Sequence, residues 1–256
     1  MHANLIACCG RLVLAVLVLA APGPTMAATD ALSLSPPAIV MGAQYNGVDL
    51  TVAGGVPAGA DVIVRLTGTP DELHLREKGK VFGLLWMNVG KVVATNVPSV
   101  YLVDGSRPLS QMGAGAVSYR LESLVGTIGV KQEGTDDSID IPHQLLLLKA
   151  HEGLYRESAE GISLSAATGD TQRFVAHIKV PPSLKPGEYR VEAIALKNGA
   201  VVEQSQTVIE AALTGFPKWL SELASQKSAL YGVMATVVAI FSGLAIGLVC
   251  QSRKGH

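Results

Sequence analysis

Residues 230–249 form a run without one charged side chain. At 1.5 Å of rise per residue, a helix of that length crosses the roughly 30 Å hydrocarbon core of a bilayer, and core helices of soluble domains seldom reach it. Arg253 and Lys254 follow directly and suit the cytoplasmic flank of a span. Most of the chain is then an ectodomain hung from a membrane. Whatever it folds into has to deliver its C-terminal end to that surface.

The N-terminus supplies the matching half of this topology. Arg11 precedes an apolar run over residues 12–21, broken by Pro22, Gly23 and Pro24 and followed by the small residues Ala27 and Ala28. This pattern predicts a secretory signal peptide over residues 1–28. An uncleaved anchor is disfavoured by the shortness of the run and by the break behind it. Cys8 precedes the apolar run, so it makes no lipoprotein site. Cys8 and Cys9 lie in the removed segment and Cys250 at the far end of the anchor, which leaves the exported part without cysteine. A disulfide framework and Cys-ligated metal centres are therefore excluded there. The roughly 200 exported residues suffice for a sizeable core without such staples. A formal net charge of −1 and a pI near 6.6 give no basic footprint for nucleic acid.

From residue 32 to 103 the chain reads as about seven short β-rich runs punctuated by turn residues. In residues 61–66 period two sets Val62, Val64 and Leu66 on one face and Ile63 and Arg65 on the other. Runs at 82–89 and 91–94 are expected to meet at a turn over Asn88, Val89 and Gly90. Residues 108–158 have few turn breaks and predict a helical insertion. Within it an amphipathic helix over residues 141–155 has Pro142 in its first turn, and the polar stretch 131–140 precedes it as an exposed loop. Strand character returns at 174–180. Residues 189–196 and 200–209 should form a hairpin across Asn198-Gly199, the pair that supplies positive φ cheaply. Pro186-Gly187-Glu188-Tyr189 resembles a tyrosine corner, whose hydroxyl bonds backward to the backbone. The fold class expected is mainly β, an immunoglobulin-like antiparallel β-sandwich ectodomain with a helical insertion, plus one C-terminal transmembrane helix. Its β-rich parts, residues 29–107 and 159–213, close into one sandwich or two. A juxtamembrane helix over 214–229 carries Trp219, the anchor covers 230–250, and 251–256 is a basic tail.

Several of these residues carry a resemblance. Lys78-Gly79-Lys80, Trp86-Met87-Asn88, Asn96 through Tyr101, Gly153 through Glu157, and Gly187-Glu188-Tyr189-Arg190-Val191 are similar, in this order, to the Alph_Pro_TM family of transmembrane proteins. Leu85-Trp86 stands where the family has an Ile-Trp step, and Gly113 to Gly115 is richer in glycine than the family pattern. The resemblance implies a bacterial inner-membrane protein without established activity, sometimes encoded beside sulfite-exporter-like permeases.

Site chemistry is sparse. Ala235, Ala239, Gly243 and Gly247 recur every four residues and share a helix face that a second helix backbone could approach, either a permease helix or a second copy of the chain. Trp86, Asn88, Asn96 and Tyr101 form the one aromatic and amide concentration in the ectodomain. They brace the core if buried and make a hot spot for a partner if exposed. His74, His143, His151 and His177 lack metal-ligand spacing, and Asp136, Asp137 and Asp140 lack the order of a calcium loop. With no nucleophile elbow and no phosphate loop, no enzyme, metal or cofactor is expected. The reading that results is a periplasmic, membrane-anchored accessory or interaction protein, partnering a permease. The alternative is a tethered module that binds a small ligand or metal.

Overall fold

The computed structural model describes residues 32–82, 84–133 and 140–252. The expected signal peptide, Asp136, Asp137 and the tail with Arg253 and Lys254 lie outside the described residues. Strands β1 (Ser33–Ser35), β2 (Ala38–Met41), β3 (Val48–Pro57), β4 (Asp61–Gly68), β5 (Pro70–Val81), β6 (Leu85–Pro98) and β7 (Tyr101–Gly105) come first. Three 3₁₀ turns between Leu109 and Gly126 lead to β8 (Gly129–Glu133), helix α1 (Ile141–His151), β9 (Tyr155–Ser158) and β10 (Ile162–Leu164). Then follow β11 (Thr171–Val180), β12 (Gly187–Lys197), β13 (Ala200–Leu213), α2 (Gly215–Gln226) and α3 (Ser228–Ser252).

Alternation fixes which faces turn inward. Along β11, Gln172, Phe174, Ala176, Ile178 and Val180 are buried and the residues between them exposed, so a slip of one residue would expel the whole apolar set. One sheet has the order β1-β3-β11-β10 and a second β2-β13-β12-β4-β7-β9. Each contains strands from both β-rich parts, and both sheets contribute to one hydrophobic core. This answers the question of one β assembly or two. The pairings β2 with β13 and β7 with β9 are parallel. The hairpin of β12 and β13 turns as expected at Asn198 (φ 53) and Gly199 (φ 79).

The central strand β4 is buried on both faces: Val62, Val64 and Leu66 on one, Ile63 on the other. The second cover is the 3₁₀ segment. Its Tyr119 ring lies 5.0 Å from the Arg65 guanidinium, and Leu109 and Met112 would meet a Cβ added at Gly105 of β7. Helix α1 stops at His151, four residues short of the expected end. Asp140, exposed just ahead of the helix, caps it by accepting a bond from the His143 amide at 3.2 Å.

The expected turn at Asn88-Val89-Gly90 is absent. β6 runs unbroken through it, and the reversal comes between Val81 and Leu85. The register steps from Glu77 opposite Gly90 to Lys78 opposite Asn88, leaving Val89 as the extra residue of a β-bulge. A bulge and a turn call for the same residue types, so composition could not separate them.

Candidate functional site: an exposed apolar ribbon tip and the buried cluster at its root

The ribbon of β5 and β6 continues β4 and β7. Thr67 pairs with Tyr101, the Gly68 amide donates to the Val100 carbonyl at 3.0 Å, the Ser99 amide to the Thr69 carbonyl at 3.1 Å, and Pro70 faces Pro98. The ladder therefore passes without a break from the six-stranded sheet into a projecting arm. β8 pairs with β6 from Lys91 to Thr95 and makes the arm three-stranded near its root. An apolar crevice of about 190 Å³ separates this part from α1, between Leu75 and Val92 on the arm and Leu145 and Leu148 on the helix.

Beyond Gly90 the arm consists, among the described residues, of β5 and β6. Its tip carries Phe82, Leu84, Leu85, Trp86 and Met87, from 52% to 93% exposed. Lys80 stands opposite Trp86 with its ammonium 5.3 Å from the ring centroid. Trp86 and Asn88 are thus surface residues on the outer arm, and Asn96 is exposed nearer the root, where its side chain donates to the Thr127 carbonyl at 2.9 Å.

Tyr101 does not belong with them. It is 2% exposed and braces the core, the first of the two alternatives for this group, at the root, where the ribbon is still part of the six-stranded sheet. Its ring meets Tyr155 edge-on at 6.3 Å, and its hydroxyl donates to the Tyr119 carbonyl at 3.0 Å while accepting from Arg65 Nη1 at 3.4 Å. Arg65 also donates from Nε to Glu192 Oε2 at 2.7 Å. Burial opposes the Arg65 charge, but Tyr101 and Glu192 outweigh it and raise its pKa; burial likewise raises that of Tyr101. Beside this pair lies a groove of about 340 Å³ between the root of the ribbon and the outer face of β4 and β12. Arg65 and Glu192 satisfy each other there, so the pair joins two strands and the 3₁₀ segment with its charges already matched. The sequence hid it, since the partners are 127 residues apart.

Asp104 is 2% exposed on β7. Burial raises its pKa, against the opposing effects of Arg156, at 3.6 Å, and Ser158. His177 contacts Thr51 at 3.3 Å and His74 contacts Glu72 at 3.4 Å. Among the described residues no three His, Cys, Asp or Glu side chains are placed to hold a metal ion.

After β13 the chain enters α2, where Phe216 and Trp219 stack with centroids 5.7 Å apart and both remain exposed. In α3 the segment Ser228–Leu248 is long and apolar enough to cross a membrane, with a mean hydropathy of 2.1 and none of its surface buried. Ala235, Ala239, Gly243 and Gly247 lie in this exposed helix, and a Cβ added at Gly243 or Gly247 would meet nothing within 4 Å. The model of the family described as "Putative transmembrane protein (Alph_Pro_TM)" matches residues 31–252. The chain belongs to this family. The match takes in every strand of this Alph_Pro_TM protein described above, the projecting arm and α3. A membrane location follows from the family and from α3 together. No curated protein matches the chain.

Reasoning from sequence singled out Trp86 on this Alph_Pro_TM protein but missed its neighbours Phe82, Leu84, Leu85 and Met87. The available signal was their crowding between Lys80 and Asn88, too apolar for an ordinary polar turn.

Proposed function

We propose that this Alph_Pro_TM protein is a single-pass accessory or interaction protein of the bacterial inner membrane. In this reading residues 1–28 are removed on export, the β-rich ectodomain is an immunoglobulin-like sandwich in the periplasm, and the tail is cytoplasmic. Its role is to bind or brace a membrane partner rather than to catalyse a reaction. The partner is a permease, of the sulfite-exporter-like class that the family resemblance implies, or a second copy of the chain. The observation that carries the reading is α3 itself, which exposes apolar side chains and the row Ala235, Ala239, Gly243 and Gly247 along one continuous helix. In lipid, association of such helices is driven by close packing of small residues rather than by the hydrophobic effect.

The test is a mild-detergent pull-down of the full-length chain beside a version whose α3 is replaced by an unrelated membrane helix, together with Gly243→Ile in a membrane two-hybrid assay. Recovery of a membrane protein with the native anchor alone, and loss of association in Gly243→Ile, are expected. Equal recovery with both anchors and an unchanged two-hybrid signal would remove α3 as the contact.

A further inference from the structure

The arm leaves the sheet at an end that can be identified. β12 is antiparallel to both β4 and β13, so β4 and β13 run the same way, with Gly68, Tyr189 and Ile209 at one level. Beyond that level β13 proceeds to Leu213, α2 and the apolar α3, while β4 proceeds into β5 and the arm. The exposed tip and the membrane helix therefore depart from the same end of the sheet.

Their lengths agree as well. From Gly68 to Val81 a strand extends about 43 Å. From Ile209 to the start of α3, the end of β13 and an upright α2 with their short links extend at most about 43 Å. The arm is long enough to reach the surface at which α3 enters the bilayer.

Charge on the arm complements an anionic surface. Between Arg76 and Lys91 the sequence has four basic residues, Arg76, Lys78, Lys80 and Lys91, against the single acid Glu77. The apolar tip lies beyond them. Aromatic and aliphatic side chains ahead of a basic collar match the layering of a bilayer face, acyl chains beneath and phosphates above, and tryptophan favours the boundary between the two. Apolar patches of this kind on a soluble surface mark contact sites.

We propose that the tip of the β5–β6 ribbon inserts Phe82, Leu84, Leu85, Trp86 and Met87 into the phospholipid leaflet on the ectodomain's side, with Lys78 and Lys80 at the anionic headgroups. The tip then forms a second attachment beside α3 and holds the six-stranded sheet at a set height and tilt over the membrane. This inference rests on the reading of α3 as a membrane anchor.

The experiment uses the full-length chain carrying Trp219→Phe, which leaves Trp86 as the sole tryptophan. It is reconstituted into vesicles of phosphatidylcholine and phosphatidylglycerol, with and without bromine on the acyl chains. Trp219 is half exposed, so its replacement leaves the fold intact. Co-flotation with the vesicles, loss of most Trp86 emission to brominated lipid and protection from aqueous acrylamide are expected. In Lys78→Glu/Lys80→Glu the bromine quenching should weaken while co-flotation persists. Trp86 open to acrylamide and indifferent to bromine, in protein that co-floats, overturns the proposal and leaves the anchor standing. Protection from acrylamide without bromine quenching also overturns it, in favour of a second protein copy over the tip. Failure to co-float overturns the anchor and this inference with it.

Discussion

Gly115 offers a test of how the 3₁₀ segment is held against the second sheet. Its amide donates to the Gly199 carbonyl at 2.8 Å, in the turn of the β12–β13 hairpin. A Cβ at position 115 would lie 2.7 Å from that same oxygen and 3.3 Å from Leu196 Cδ2. Neither side can yield easily: Asn198 and Gly199 are held at positive φ by the hairpin, and neighbouring Gly113 would bring its own Cβ within 2.7 Å of the Gly199 Cα. Gly115→Ala must then push the two backbones apart. Overpacking of this kind costs about 1–3 kcal/mol, and loss of the amide bond about 0.5–1.5 kcal/mol more. A total of roughly 2–4 kcal/mol corresponds to a fall in Tm of roughly 5–15 °C for a fold of this size. Gly126 supplies the control, since a Cβ there meets nothing within 4 Å. Gly126→Ala should leave stability unchanged or raise it by up to about 1 kcal/mol through the unfolded chain. Thermal unfolding of the full-length variants in detergent, followed by circular dichroism, reads both. An unchanged Tm in Gly115→Ala, or an equal fall in Gly126→Ala, would refute the argument that this contact fixes the segment.

The Tyr189 hydroxyl donates to the Lys185 carbonyl at 2.6 Å in a side chain almost wholly buried, so Tyr189→Phe should cost about 1 kcal/mol in chemical denaturation; no loss would show that the corner bond adds nothing. Asp104 has its folded pKa raised above the ordinary 3.8, so the folded state binds the proton more tightly, and this group's contribution is complete below that range and lost as pH rises through the folded value. The stability of Asp104→Asn relative to the native chain should therefore improve from acid to neutral pH, and a difference independent of pH would count against a strained carboxylate at this position. Phe82→Ser with Trp86→Gln should leave the unfolding free energy in detergent within about 0.5 kcal/mol of the native value, because both side chains are surface groups; a large fall would mean that the tip is part of the fold's own core.

Local patterns carried much of this fold into the sequence. Period-two alternation exposes β4 and β11, Asn198-Gly199 exposes the hairpin, and Tyr189 exposes the corner bond, because each depends on residues near one another in the chain. What stayed hidden depends on distant partners. Ile63 reads as an outward residue until the 3₁₀ segment covers it, and Glu192 reads as a solvent residue until it meets Arg65. The parallel additions of β2 and β9 leave no mark in the spacing of either segment. Trp86 and Tyr101 sit fifteen positions apart in one aromatic stretch and differ wholly in exposure, since the ribbon carrying both leaves the sheet between them.

The outer arm also constrains what the tip is for. A two-stranded ribbon has little stability of its own in water, and among the described residues the pairing of β8 with the arm extends no further out than Lys91 and Glu133. Register shifts at Asp71/Leu73 and Glu77/Lys78 add twist to the arm, and Asn96 takes φ 59 opposite the first of them. At the second shift Val89 packs over Gly79, and beyond it lie five exposed apolar residues. Those five contribute nothing to the core that supports the arm, although burying each would be worth about 1.5–3 kcal/mol. A folding requirement would have put them inward or replaced them with a polar turn. Their free energy is available only to a surface met from outside, and the arm presents that surface to whatever lies beyond the end of the sheet where α3 departs.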